Sequence, residues 1–131
     1  MVQRSRDWLR ESQAELAAAE HLLAAGDWSW CCFTAQQAAE KAVKALCEEF
    51  RVSHLGHNLN ELLGALRAHI LAPESVRMAC ARLNRYYIPA RYPDSFDNGA
   101  PVEQFFEPDA RQACQDAADV YRFAEGAVGP P

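Results

Sequence analysis

The run from Cys31 to Phe50 constrains this chain most. On a helical period its inward positions are Cys31, Ala35, Ala38, Ala39, Ala42, Val43, Leu46 and Phe50, so about three turns of that face carry no bulky side chain. Such a seam lets a neighbouring helix approach closely, which places this helix at the centre of a bundle. Gln36, Gln37, Glu40, Lys41 and Lys44 read as the opposite or flanking face. The composition agrees: alanine is the commonest residue, 24 of 131, whereas valine and isoleucine together number 9, a balance that favours helix over strand. The expected fold class is all-α.

Capping and breaking residues divide the chain into five helices. Ser5 is placed to cap the first, with Asp7 in its first turn and Trp8, Ser12, Leu16, Ala19 and Leu23 at helical spacing up to the stop at Ala24-Ala25-Gly26. Asp27 then caps the alanine-rich helix. Arg51 to His57 reads as a turn, and Leu59, Leu62, Leu63 and Leu66 give a short third helix that starts near Asn58 or Asn60. Pro73, at a first-turn position, opens a fourth helix through Val76, Ala79, Cys80 and Leu83. From Tyr87 to Glu107 the chain holds Pro89, Pro93, Asn98-Gly99 and Pro101 and reads as a long irregular connection. Tyr92, Phe96, Phe105 and Phe106 argue that this connection packs on the body. Pro108 and Asp109 start the last helix, with Ala110, Ala113, Cys114, Ala117, Val120, Tyr121 and Ala124 on one face, and 126–131 reads as a frayed tail. The whole, 1–131, is expected to be a single domain.

With half its residues apolar and 24% charged, the chain has the composition of a folded domain and not of a disordered segment. A net charge of -5 argues against a generally basic nucleic-acid binder, but the average conceals an asymmetry. Residues 1–66 carry -3, 67–91 carry +4 and 92–131 carry -6. All the positive charges of the middle stretch are arginines, Arg67, Arg77, Arg82, Arg85 and Arg91, the side chain best suited to bidentate phosphate contacts. Their alternative use is pairing with the acidic C-terminal segment. The cysteines, Cys31, Cys32, Cys47, Cys80 and Cys114, are odd in number, contain no CxxC pair and read as reduced core residues. No Cys/His spacing matches a metal-ligand pattern, so neither a metal nor a cofactor is expected. The first ten residues hold three arginines and no apolar run, and nowhere do 18 apolar residues follow one another. A cytoplasmic protein with no membrane partner is the expectation.

The densest chemistry lies in Asn84-Arg85-Tyr86-Tyr87-Ile88-Pro89-Ala90-Arg91-Tyr92-Pro93-Asp94. Aromatic rings stack on bases while arginines hold phosphates, a combination that suits a nucleotide or single-stranded RNA. The competing reading is structural, with tyrosines packed on the bundle, Asp94 paired to Arg91 and prolines fixing the turn. Gln37, Lys41 and Lys44 form a second polar set on one helix face. Either it is an ordinary solvated face with Glu40 and Lys44 as an i,i+4 pair, or Lys41 points toward the arginine segment and completes a phosphate pocket.

Across nearly its whole length the sequence resembles the HEPN domain family in its stand-alone prokaryotic form. The resemblance rests on Arg6-Asp7-Trp8-Leu9, on Gly26-Asp27-Trp28 leading to Cys32-Phe33-Thr34-Ala35-Gln36-Gln37-Ala38-Ala39-Glu40-Lys41-Ala42, on Gly56-His57-Asn58-Leu59, and on Arg85 to Asp94. It implies an antiparallel up-and-down bundle of four long helices plus a short extra one. It also implies a homodimer, a link to nucleotide or RNA binding, and pairing with a minimal nucleotidyltransferase in a toxin-antitoxin-like system. In the ribonuclease branch of the family an arginine, four to six residues and a histidine near the dimer axis support metal-independent cleavage by the 2'-hydroxyl of the RNA.

Here five residues separate Arg85 from Arg91, so an arginine stands where the histidine is expected, and Tyr92 follows. Arginine stays protonated and cannot act as a general base near neutral pH, so that ribonuclease motif is not intact. Arg51 and His57 satisfy the same spacing in the turn before the third helix, outside the segment where the motif belongs, and read as a chance match. His54 and His57 are expected to cap or orient that turn, and His21 and His69 to lie at the surface or at helix ends. The candidate binding residues are Arg85, Tyr86, Tyr87, Arg91, Tyr92, Asp94 and Lys41, with no catalytic residue assigned. The three functions carried forward are a nucleotide or RNA binder, a metal-independent endoribonuclease toxin, and a non-catalytic interaction subunit. Trp28, Trp30 and Phe106 are candidates for a self-complementary dimer patch.

Overall fold

A computed structural model describes residues 3–87 and 92–130. The chain forms α1 (Ser5–Ala25), α2 (Trp28–Phe50), α3 (Leu59–Ala65), α4 (Glu74–Asn84) and α5 (Glu107–Val128), with two short 3-10 turns, Pro93–Ser95 and Pro101–Glu103, before α5. The described residues contain no strand. The expected all-α bundle is thus the observed one, although α4, with 11 residues, is only half as long as α1, α2 or α5. None of these helices is long and apolar enough to cross a membrane.

The alanine seam does what its composition predicts. Ala35, Ala38, Ala39 and Ala42 of α2 and Ala110, Ala113, Ala117 and Ala124 of α5 are all completely buried. The start of α1 meets the ends of both helices: Gln3 donates to the Glu48 and Glu49 carbonyls, and Arg6 donates to the Gly129 carbonyl. The two helices therefore run side by side in the same direction, with α1 antiparallel to both. Ser12 Oγ pins α1 to α2 by donating to the Ala38 carbonyl at 2.6 Å, at a point where only small side chains intervene. Larger side chains, Leu46, Leu59, Leu66 and Leu83, fill the opposite end, where α3 and α4 cover α2.

Several local expectations are corrected. Ser5 is the first helical residue and not the cap: Arg4 is the N-cap, and Ser5 Oγ donates to Glu49 Oε1 at 2.9 Å, tying α1 to α2. Asp27 is the N-cap of α2, but its side chain accepts no capping bond. Asn58 caps α3 fully, accepting from the Asn60 and Glu61 amides. Pro73 is the N-cap of α4, one place before the first turn. The supposed frayed tail is helical to Val128, and Arg6 of α1 donates to the carbonyls of Gly129 and Pro130 just past the helix end. Gln36 and Glu40, placed by periodicity on the outer side of α2, are buried at 0% and 5% exposure, since α2 is covered on more than one face.

Of the irregular connection, Phe105 is buried, and it meets Tyr86 and Phe96 edge to face with ring centroids 5.6 and 6.0 Å away. Phe106 instead projects into solvent. Among the arginines of the basic stretch, Arg82 pairs with the acidic C-terminal segment: its Nε and Nη2 each donate at 2.9 Å to Asp116, a carboxylate that is 1% exposed. Gln112 supplies a third donor at 2.9 Å. All five cysteines are buried and free.

Removing Arg82 leaves the buried Asp116 carboxylate with Gln112 alone. Arg82→Ala should therefore lower unfolding stability by about 3 kcal/mol in urea denaturation. Burial also pushes the thiols of Cys32 and Cys80 from 9.0 up to about 12, that of Cys47 to about 11, and the Tyr86 phenol from 10.0 to about 12. The unfolded chain releases these protons first, so their contribution is complete below pH 9 and is lost as the pH rises toward 12. The urea midpoint should fall across that window, and Tyr86→Phe should make the fall shallower above pH 10.

Candidate functional site: the aromatic and carboxylate face of the second helix

One face of α2 carries Trp30, Phe33, Gln37, Glu40 and Lys44 at spacings of three and four. Two residues from distant parts of the chain lie on it. Tyr87, just after α4, is stacked on His57 with centroids 4.4 Å apart and planes at 18°. Tyr87 also meets Phe33 at 6.4 Å, and Phe33 meets Trp30 edge to face at 6.2 Å. The result is a row of four rings from Trp30, 49% exposed, to His57, whose side chain is half exposed.

Asparagines bring these pieces together. Asn84, the last residue of α4, accepts from the Leu59 amide at 2.8 Å and donates to Asn60 Oδ1 at 2.8 Å. Those bonds hold the end of α4 against the start of α3, so the residues on either side, Tyr87 and His57, meet. His57 is fixed from below as well. Its Nδ1 lies 3.0 and 2.9 Å from the two oxygens of Glu40, the nearly buried carboxylate on α2. Glu40 is the hub of this cluster, since Lys44 Nζ pairs with it at 3.2 Å and Gln36 Nε2 donates to it at 3.3 Å. A carboxylate only accepts hydrogen bonds, so neutral His57 carries its proton on Nδ1 and turns Nε2 away from Glu40. Nε2 has no hydrogen-bond partner among the described residues. In chemical terms this is an imidazole of fixed tautomer, beside a stacking surface, with one nitrogen able to accept a proton.

The expected site residues are only partly assembled here. Arg85 caps the C-terminal end of α4, is exposed, and its guanidinium has no ion pair or hydrogen bond with any described residue. Tyr87 belongs to the ring row. Tyr86 turns the other way and packs against the core beside Phe105. Tyr92 is exposed, and Asp94 is exposed in the first 3-10 turn. Arg91 lies outside the described residues. Lys41 does not share the face of Lys44: it pairs with Glu15 of α1 at 2.9 Å and lines a recess with Arg4, Asp7, Trp8, Glu11, Glu48 and His54. None of those residues belongs to the arginine segment. The expected Glu40 and Lys44 i,i+4 pair is present.

His57 is the residue that sequence reasoning undervalued, as a turn former. The sequence offered Gly56-His57-Asn58-Leu59 and the Arg51 spacing, but its relation to Glu40, 17 residues before, and to Tyr87, 30 after, acquires meaning only in the folded chain. His69 stacks on Phe50 at 5.4 Å, and His54 lies edge-on to Trp8 at 5.3 Å. Among the described residues no group of three or more His, Cys, Asp or Glu side chains is placed to hold a metal ion.

A bundle of five α-helices places the chain among small all-helical domains. The family model of the HEPN domain matches residues 5–127, and the chain belongs to that family. The structure is similar to that of TT1696 from Thermus thermophilus, with 36% sequence identity, a TM-score of 0.92, and coverage of 95% of this chain and 98% of that one. It is also similar to ST0689, an archaeal HEPN homologue, at 30% identity and TM-score 0.83 over 98% of this chain and 100% of that one. An HEPN domain protein from Thermotoga maritima is 27% identical, with TM-score 0.75 over 92% of this chain and 96% of that one. No curated protein matches the chain.

The tautomer of His57 is directly measurable. Multiple-bond 15N NMR on imidazole-labelled protein should show a protonated Nδ1 in the neutral form, and an Nε2-protonated pattern would contradict the Glu40 contact.

Proposed function

We propose that the protein binds a nucleotide or single-stranded RNA, with phosphate held by Arg85 and Arg91 and a base placed on the tyrosines that flank them. The observation that carries this reading is Arg85: exposed, unpaired among the described residues, and two positions from Tyr87 in the ring row. An unpaired guanidinium has no carboxylate to give up before it meets a phosphate, unlike Arg82, whose donors are committed to Asp116. Tyr87 and Tyr92 are the stacking candidates, whereas the core packing of Tyr86 suits it to positioning its neighbours. Asp94 is suited to a ribose or base donor. Lys41, tied to Glu15, is the weakest member of the set. The protein acts as a homodimer in this reading, with exposed Trp30 and Phe106 as patch residues. A minimal nucleotidyltransferase is its partner in a cytoplasmic toxin-antitoxin-like system.

A second reading, metal-independent endoribonuclease, is favoured by one specific observation, the His57 and Glu40 contact. Arg91 cannot remove a proton from a 2'-hydroxyl, but an imidazole held by Glu40 can, with arginine stabilising the charge that develops on phosphorus.

Labelled ATP, GTP and a short single-stranded RNA, titrated into the protein at fixed salt, separate these readings. Arg85→Ala combined with Arg91→Ala should weaken binding at least about tenfold in a protein that keeps its helical circular dichroism, and should flatten the salt dependence. RNA that stays intact selects the binder. Cleavage that disappears in His57→Ala while binding persists selects the ribonuclease. No binding by the wild type overturns both and selects the interaction subunit.

A further inference from the structure

Two of the five buried cysteines touch each other. Cys31, in the first turn of α2, and Cys114, in the second turn of α5, have Sγ atoms 3.4 Å apart. The contact is a consequence of the alanine seam, because Ala35 and Ala38 one and two turns along α2, and Ala110 and Ala113 beside Cys114, let the two backbones come close. Cys31 Sγ also lies 3.8 Å from the Ala110 carbonyl, so both sulfurs are held between the helices. The separation is van der Waals contact, and a covalent bond requires the two sulfurs to close by about 1.4 Å.

The two thiols are not equivalent. Cys31 is completely buried, whereas Cys114 keeps 7% exposure and is the one that a small reagent reaches. The hydrogen bond from Cys31 favours the Cys114 thiolate and lowers its pKa, against burial and the charge of Glu20. Burial raises the thiols of Cys32, Cys47 and Cys80 and leaves them as inert core residues.

We propose that Cys31 and Cys114 are a redox-modification site that a small peroxide converts to a disulfide, cross-linking α2 to α5. The Cys114 thiolate attacks one oxygen of hydrogen peroxide, the O–O bond breaks, and with one proton the products are a sulfenic acid and water. Cys31 then attacks that sulfur, the S–S bond forms, and the sulfenic hydroxyl leaves as a second water with the Cys31 proton. Two thiols are oxidised and one peroxide is reduced. The bond closes a loop of more than half the chain and clamps the first turn of α2, where Trp30 begins the ring row. Reduction by a dithiol reverses it.

The test is intact-mass analysis of the reduced protein after brief treatment with hydrogen peroxide, followed by non-reducing peptide mapping. The expected result is a loss of two hydrogens per chain, a single linked peptide pair containing Cys31 and Cys114, and reversal by dithiothreitol. The oxidised form should melt about 5 °C or more above the reduced one. Cys31→Ala and Cys114→Ala should each abolish the species. Oxygen addition without the two-hydrogen loss, or a bond mapped to Cys32, Cys47 or Cys80, overturns the proposal. Mapping on the wild-type chain decides the matter even if either alanine variant fails to fold.

Discussion

Close contact along the alanine faces of α2 and α5 is the constraint on which the rest of the molecule depends. Small side chains lose little conformational entropy on burial and bring backbones together, so dispersion and hydrogen bonds replace bulk as the means of cohesion. The Ser12 bond from α1 to the Ala38 carbonyl of α2 and the contact between Cys31 of α2 and Cys114 of α5 both sit beside buried alanines of α2. The same seam forces α2 into the interior, with α1 and α5 on two sides and α3 and α4 over part of a third. A helix so enclosed must bury some of its polar face, and Glu40 and Gln36 are the result.

Burying Glu40 has a chemical consequence. A carboxylate removed from water demands donors on every open oxygen lone pair, and this one takes Lys44, Gln36 and His57. Satisfying it fixes His57, and His57 in turn provides a flat surface for Tyr87. The ring row is therefore held by the buried Glu40 carboxylate and the Asn84 bonds as well as by contacts between the rings. Loss of Glu40 would disturb the position of Tyr87 without touching it.

The helices were legible because their determinants are local: caps, breakers and a 3.6-residue period all act within a few residues. The alanine seam, the turn at Gly26 and the Asn58 cap could each be read from a short window. The failures came where distant segments decide. Ser5 is drawn from capping by Glu49, 44 residues away, and the segment just past α5 is held by Arg6, more than 120 residues away. Lys41 and Lys44 lie three residues apart on α2, yet one is claimed by Glu15 of α1 and the other by Glu40. His57 looked like a turn residue because nothing nearby in sequence reveals the carboxylate beneath it or the tyrosine above it. Charge and composition pick out Arg82 and Arg85 alike, whereas the distinction between them requires the buried Asp116.

That distinction shows how an acidic protein can keep an arginine exposed and clear of the described carboxylates. Net charge sets the long-range field, which salt screens over about 8 Å under physiological conditions. Within that distance the local pairing pattern matters more. Arg82 is committed to the buried Asp116, the chief buried acid of α5, while Arg85, three residues later and past the end of α4, is left uncommitted among the described residues. About one turn of helix thus separates a cation that holds the bundle together from one that is exposed to solvent.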